Sequence, residues 1–191
     1  GQESLESFYM VLSAPVNTSI ANNVVWATIV DNDTVVTDGD ASGTFEADEK
    51  ANLSVRDVVV DEKAGTATFD LVLNKATTEA FSVAYSTATV AGTATAGADF
   101  TAASGSIGFA AGQTSQHVAV SILDDTAVES NEYFHLALGA LSGSAANQVQ
   151  VADGVGTALI GRSDQAALAS PLISASPIVV NEGANTLDFA R

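Results

Sequence analysis

Apolar and polar residues alternate strictly along His117-Val118-Ala119-Val120-Ser121-Ile122-Leu123 and again along Tyr133-Phe134-His135-Leu136-Ala137-Leu138. A two-residue period places successive side chains on opposite faces, so each run reads as a half-buried β-strand. The two strands predicted from these runs cover Thr114–Leu123 and Glu132–Leu141. Similar patterns, rich in Val, Thr, Ile and Phe and split by Gly, Asn, Asp and Ser, predict further strands. They lie near Leu5–Leu12, Val24–Val30, Leu53–Val60, Thr66–Leu73, Ala80–Ser86, Gly105–Phe109 and Gln148–Ile160. No segment of helical length keeps a clean helical period. Many short strands with regular turn signals predict an all-β, antiparallel sandwich. The Ala- and Gly-rich run Thr87–Ala98 reads as a long loop.

Between the two strictly alternating runs lies Asp124-Asp125-Thr126-Ala127-Val128-Glu129-Ser130-Asn131-Glu132. Nine residues there hold four carboxylates. Like charges this close repel unless a cation sits among them. A hard divalent cation with many oxygen ligands, Ca²⁺ above all, suits that donor set. The bland alternative is a solvated acidic loop.

Charge strengthens the cation reading. The 191 residues carry 6 basic and 23 acidic side chains, a formal net charge of −17. Such a chain is not expected to bind nucleic acid or anionic membranes. It suits a protein that holds cations or lives in salty surroundings. No apolar run has the length of a membrane span, so no membrane insertion is expected. There is no cysteine, which excludes disulfides and thiolate chemistry. The length is enough for one or two domains with a real core. The chain begins at Gly1 and reads as a piece of a longer polypeptide.

An internal repeat sets the organisation. Glu3-Ser4-Leu5-Glu6-Ser7-Phe8-Tyr9-Met10-Val11-Leu12 matches Glu129-Ser130-Asn131-Glu132-Tyr133-Phe134-His135-Leu136-Ala137-Leu138. Val179-Val180-Asn181-Glu182-Gly183 matches Val59-Val60-Asp61-Glu62-Lys63. The spacing implies a tandem array with a period of roughly 120 residues. Residues 1–33 are then the last strands of one repeat, 34–51 an acidic linker, 52–164 a complete domain, and 165–191 a short linker with the first strands of a third repeat. Each terminal piece is too small for an independent core and must pack on something or fray.

The central repeat resembles a Calx-beta domain, a module first associated with sodium–calcium exchangers and common in long bacterial surface proteins. The matching motifs are Val60-Asp61-Glu62 with Gly65, then Gly97-Ala98-Asp99-Phe100, then Asp124-Asp125 with Glu129, Glu132 and Phe134. The preceding repeat keeps the family's closing Ile29-Val30-Asp31-Asn32-Asp33. The resemblance implies an Ig-like seven-stranded sandwich with calcium at one end, close to the neighbouring domain. By position it assigns Glu62 to the first inter-strand turn and Asp99 to the long middle loop. Asp124, Asp125, Glu129 and Glu132, with the carbonyl of Ala127, complete the set. At the end of the repeat the family pattern wants Asp-x-Asp, but the chain reads Gly161-Arg162-Ser163-Asp164. Only Asp164 can serve there, so the resemblance implies fewer or weaker ions. Asp31 and Asp33 would belong to the earlier repeat's site.

The linker carries a signal independent of the family. Residues 38–49 read Asp-Gly-Asp-Ala-Ser-Gly-Thr-Phe-Glu-Ala-Asp-Glu. An EF-hand loop wants oxygen ligands at its positions 1, 3 and 5, Gly at 6, a carbonyl at 7 and Glu at 12. Asp38, Asp40, Ser42, Gly43, Thr44 and Glu49 occupy those positions. No amphipathic helix precedes it, so the expectation is a lone calcium loop rather than a paired sensor. The alternative is a flexible acidic linker.

Other chemistry is thin. His117 and His135 lie on consecutive predicted strands without Cys or Asp at ligand spacing, and read as surface or sheet-packing residues. Trp26, alternating with Val24 and Thr28, reads as core or inter-domain packing. Asp153, before Gly154, reads as a bulge or turn residue. No Gly-x-Ser-x-Gly elbow or phosphate-cradling loop occurs, so no enzyme is expected. The leading expectation is a calcium-stiffened extender in a long, secreted or cell-surface bacterial protein, partnered by neighbouring repeats. One alternative is a calcium-sensing module of a transporter or receptor. Another is a filament subunit in which strands of one chain complete the next.

Overall fold

In the computed structural model, which describes residues 6–20, 23–30, 50–89, 94–161, 172–173, 175 and 178–181, the alternating runs form short strands. In chain order these are β1 (Glu6–Val11), β2 (Ser19–Ile20), β3 (Val24–Val30), β4 (Ala51–Val55), β5 (Val58–Asp61), β6 (Thr66–Leu73) and β7 (Phe81–Thr89). They continue with β8 (Ser104–Phe109), β9 (Ser115–Ser121), β10 (Glu132–Ser142), β11 (Val149–Asp153), β12 (Val155–Gly161), β13 (Leu172–Ile173) and β14 (Ile178–Asn181). Single 3₁₀ turns occur at Glu62–Ala64 and Ala146–Gln148.

Among the described residues the central repeat is a sandwich of two sheets, ordered β5-β12-β10-β7-β8 and β11-β4-β6-β9. Alternation decides what fills the space between them. In β6, Ala67, Phe69, Leu71 and Leu73 are buried while Thr66 and Thr68 are exposed. Phe134 and Leu136 do the same from the facing sheet. The Phe134 ring stacks on Phe100 with centroids 4.1 Å apart and meets Phe69 edge-on at 5.9 Å. Offset stacked and edge-to-face pairs of this kind add to the burial of the rings themselves.

Two predicted strands prove to be strand pairs. Leu53–Val60 breaks at Arg56-Asp57 into β4 and β5, and Gln148–Ile160 breaks at Gly154 into β11 and β12. In each case the two halves belong to different sheets. They cross together: β4 runs parallel to β11, and β5 parallel to β12. The sandwich is therefore antiparallel inside and parallel at these edges. The break is held by Asp57, whose Oδ1 accepts the Thr157 N–H at 2.7 Å, and by the Arg56 N–H, donated to the Asp70 carbonyl at 2.9 Å. Gly156 permits the close approach. A β-carbon there would meet Val55 Cγ2 at 2.8 Å and the Arg56 carbonyl at 2.9 Å. Asp153 lies where the β11–β4 register shifts, and its Oδ1 accepts the Val155 N–H at 3.2 Å. The expected loop Thr87–Ala98 is shorter than predicted, because β7 extends through Thr89 and pairs there with Phe134.

The terminal pieces pair with each other. β1, β3 and β14 form one sheet, and β2 pairs with β13. Their register copies part of the central repeat. Ala27 lies between Phe8 on β1 and Ile178 on β14, as Ala158 lies between Phe134 on β10 and Val58 on β5. β14 also lies against β4, whose outward Asn52 and Ser54 are buried.

Trp26 lies outside the core, which corrects the first of its two expected placements. It is 53% exposed, its ring 5.3 Å from that of Tyr9, while Val25 and Ala27 take the buried face. Both alternating sets of β3 contain apolar residues, and a one-residue shift exchanges the faces. The two histidines lie on opposite sheets. His117 Nδ1 is 3.8 Å from Asp70 Oδ1, and His135 Nδ1 is 3.2 Å from Thr157 Oγ1.

Phe134 and Phe8 hold equivalent register positions, but only Phe134 is fully buried. Phe134→Ala is expected to lower stability by about 3–5 kcal/mol, the usual range for a buried Phe. Phe8→Ala, at a residue 36% exposed, should cost much less. Urea unfolding followed by tryptophan-independent circular dichroism measures both.

Candidate metal centre

The acidic residues converge because strand ends do. β5 and β12 run parallel, so both finish at the same end of the sandwich, with Asp61 opposite Gly161. β10 is antiparallel to β12 and therefore starts there, with Glu132 opposite Ile160. β6 and β9 place Thr66 opposite Ser121 at that end too. The connections after β5, before β8 and before β10 must then share one surface.

Local hydrogen bonds aim the side chains. Asp61 caps the 3₁₀ turn by accepting the Lys63 N–H at 2.9 Å. That turn carries Glu62 inward, where it is 5% exposed. Gly65 ends the turn with φ 71, a left-handed conformation that glycine adopts without steric cost. Its carbonyl accepts the Ile122 N–H at 3.1 Å. On the other side, the Leu123 N–H donates to the Asp99 carbonyl at 2.9 Å, and Phe100 bridges to Ile122. The acidic loop is thus fastened at its root to both neighbouring connections. Farther along, the Asp125 N–H points to Glu62 Oε1 at 3.4 Å, and Asp125 Oδ1 accepts the Ala127 N–H at 2.6 Å.

Two carboxylate groups result among the described residues. Glu62, Asp125 and Glu129 form one; Asp99, Glu129 and Glu132 form the other. Within each, the nearest carboxylate oxygens all lie within 4.8 Å of one another, and Glu129 belongs to both. A small cleft of about 10 Å³ is lined by Glu62, Asp99, Glu129, Ser130, Glu132, Ile160 and Gly161. That is about the room one water-sized sphere needs. The donor set is all oxygen, with no sulfur or imidazole, which suits a hard cation.

Crowding shows in Glu132. Burial first, then the charge of Asp99 and a side-chain hydrogen bond with it, then Glu129 and Glu62, push its carboxyl up to about 7. Two carboxylates can share a hydrogen bond only if one keeps a proton. A divalent cation would take over that proton's role.

Of the residues expected at the site, Glu62, Asp99, Asp125, Glu129 and Glu132 come together. Asp124 and Asp125 are both exposed, but only Asp125 joins a group, where its N–H meets Glu62 Oε1; Asp124 belongs to neither. Ala127 contributes its N–H to Asp125. Asp31, Asp33, Asp38, Asp40, Ser42, Thr44, Glu49, Asp164 and Arg162 lie outside the described residues. Ser130 and the Gly161 wall are additions. Neither is acidic, and the signal for Gly161 was its place opposite Asp61, visible only once the edge pairing is known.

The Calx-beta domain family model matches residues 46–164, more than half of the chain. The chain belongs to the Calx-beta family. Among solved structures, the apo-form Calx CBD1 domain is similar with TM-score 0.54 and 26% identity, covering 61% of this chain and 100% of that one. The calcium binding domain CBD12 of CALX1.1 is similar with TM-score 0.50 and 27% identity, over 57% of this chain and 44% of that one. The Calx CBD2 domain, at 15% identity and TM-score 0.52 over 60% and 88%, shares the fold. A search of curated proteins finds no match. For this Calx-beta chain the family motifs and the converging carboxylates coincide in the same three connections.

The raised Glu132 pKa has a defined sign. Below its ordinary value of 4.5 the carboxyl is protonated folded and unfolded, and its contribution to stability is fully present. As pH rises through about 7 the folded state must release a proton the unfolded chain has already lost, and that contribution disappears. In chelator, the wild type should therefore lose more stability between pH 5 and 8 than Glu132→Gln does. Urea midpoints of the two proteins across that range are the measurement; parallel curves would contradict the shared-proton arrangement.

Proposed function

We propose that the central Calx-beta domain binds calcium between its three acidic connections and serves as a spacer, stiffened by the ion, in a long secreted or cell-surface protein. The observation that carries this is Glu129, whose carboxylate joins both groups. A bridging carboxylate at the centre of four others is a suitable ligand for one ion, or for two held side by side. Glu62, Asp99, Asp125 and Glu132 would supply the remaining side-chain oxygens. Calcium tolerates six to eight ligands in irregular geometry, which matches donors drawn from separate connections. Its work here is electrostatic: it replaces mutual repulsion with attraction and fixes the end of the sandwich that faces the next repeat in the array. Asp38, Asp40, Ser42, Thr44 and Glu49 would hold a further ion in the linker, and Asp31 and Asp33 would serve the preceding repeat.

The likeness to the CBD12 calcium binding domain supports a second reading, in which occupancy of the same site is passed to an adjoining domain as a regulatory signal. The two readings share the site and differ in its affinity. Extracellular calcium modules bind with dissociation constants of about 10⁻⁴–10⁻³ M, sensors with about 10⁻⁷–10⁻⁵ M.

Calorimetric titration with calcium measures that affinity directly. A ligand that binds only the folded state stabilises it by about 2.7 kcal/mol at a hundred times its dissociation constant. For a domain of this size that is a rise of about 5–15 °C in melting temperature. Glu129→Gln should remove most of the rise, and Asp124→Ala should keep most of it. No thermal shift with 10 mM calcium in the wild type would refute the proposal.

A further inference from the structure

β14 occupies the edge of β3 in the same way that β5 occupies the edge of β12. Both pairs are parallel. Ile178 lies opposite Ala27 and Asn181 opposite Val30, as Val58 lies opposite Ala158 and Asp61 opposite Gly161. The acceptor strands are equivalent on their other side too, since β1 meets β3 with Glu6 at Ile29, and β10 meets β12 with Glu132 at Ile160. The donor strands share Val-Val followed by Asn or Asp. Strand and edge therefore fit although they come from opposite ends of the chain and from different copies of the sequence repeat.

We infer that this edge pairing is exchangeable between molecules, and that the partner which fits the β3 edge is β14 of a second copy of this chain. A parallel edge pair rests on main-chain hydrogen bonds, which do not depend on whose strand is added. Each exchanged pair replaces an identical internal one, so exchange conserves the interactions of the monomer. Its balance is set by concentration. Once β13 leaves β2 together with β14, the chain from Gly161 to Ile178 can reach at most about 55 Å, and a tether of that length gives an effective concentration in the millimolar range. Dilute protein therefore closes on itself. Protein folded near that concentration exchanges β14 reciprocally and forms a two-fold dimer, in which each β3 edge again carries a β14 strand. Refolding in chelator keeps calcium out of the measurement, so its outcome is separate from that of the metal centre.

The chain has no cysteine, which makes cross-linking unambiguous. Thr28 and Val179 are register partners. Thr28→Cys and Val179→Cys chains, mixed, unfolded and refolded together in chelator, are oxidised and resolved by non-reducing electrophoresis and light scattering. The exchanged pairing yields a disulfide-linked heterodimer, at least tenfold more abundant after refolding near 1 mM than near 10 µM. Adding Val180→Pro, which removes a main-chain donor from β14, should abolish it. The doubly substituted chain, dilute, should close a disulfide within itself. The inference is overturned if heterodimer does not exceed that formed by Thr28→Cys with Val151→Cys, or if the Pro change leaves it intact. It is equally overturned if the double variant fails to close at any concentration, because β14 then does not sit on β3.

Discussion

Five carboxylates held at one end of a sandwich repel one another, and the arrangement of this molecule follows from how that repulsion is contained. At an effective dielectric of about 20, two unit charges within 4.8 Å oppose each other by on the order of 3 kcal/mol. Strand register and the hydrogen bonds at the roots of the three connections keep them there. The β5–β12 pair sets Asp61 level with Gly161, and the β10–β12 pair sets Glu132 level with Ile160. Beneath them Phe100 stacks on Phe134, one residue beyond Asp99 and two beyond Glu132. The aromatic stack is the floor on which the acidic side chains stand. Burial and the charge of Asp99 push the Glu132 carboxyl up to about 7, so below that pH its proton relieves part of the repulsion. A divalent cation would relieve the rest more completely, because it attracts every carboxylate at once.

Much of this was readable in the residue order, and for identifiable reasons. A period of two survives wherever one strand face is buried, so β6, β9 and β10 were found close to their true limits. Asp125, Glu129 and Glu132 stood out as carboxylates in a turn between apolar strands, Glu62 and Asp99 were indicated by the family resemblance, and the structure brings the five together. What escaped was anything decided by pairing. β4 and β5 read as one apolar stretch, since nothing in Leu53–Val60 announces that its halves join different sheets. The break rests on Asp57 capping a backbone N–H a hundred positions away. The core alternative for Trp26 failed because both sets of alternate residues in β3 contain apolar residues, and Val25 and Ala27 take the buried face. Asp124 and Asp125 were indistinguishable until the turn after Leu123 chose between them.

The terminal strands show the strength of the repeat as an organising rule. Sequence similarity between Glu3–Leu12 and Glu129–Leu138 suggested common structure, and the register of β1 on β3 repeats that of β10 on β12 pair by pair. Edge positions copied this faithfully have interchangeable partners. In an array of such repeats the same likeness would supply a means of mispairing. On the Asn52 and Ser54 face of β4, which lies beside β14, Asn52 Nδ2 and Ser54 Oγ have no hydrogen-bond partner among the described residues. Burying such groups unpaired is costly, so this contact holds the pieces together less firmly than an apolar one would.

The parallel edge has a mechanical meaning. The chain enters the central domain at β4 and β5 and leaves it along β12. Because β5 and β12 point the same way, tension between the entering and departing chain drags the two strands lengthwise past each other. Their hydrogen bonds are then loaded together in shear rather than unzipped one by one. The asymmetry lies in direction, since force applied across the internal antiparallel hairpins would peel them open at one end. A molecule strung from such domains resists stretching along its own length through its shortest edge strand, and the carboxylates of Glu62 and Glu132 sit beside the last bond in that line.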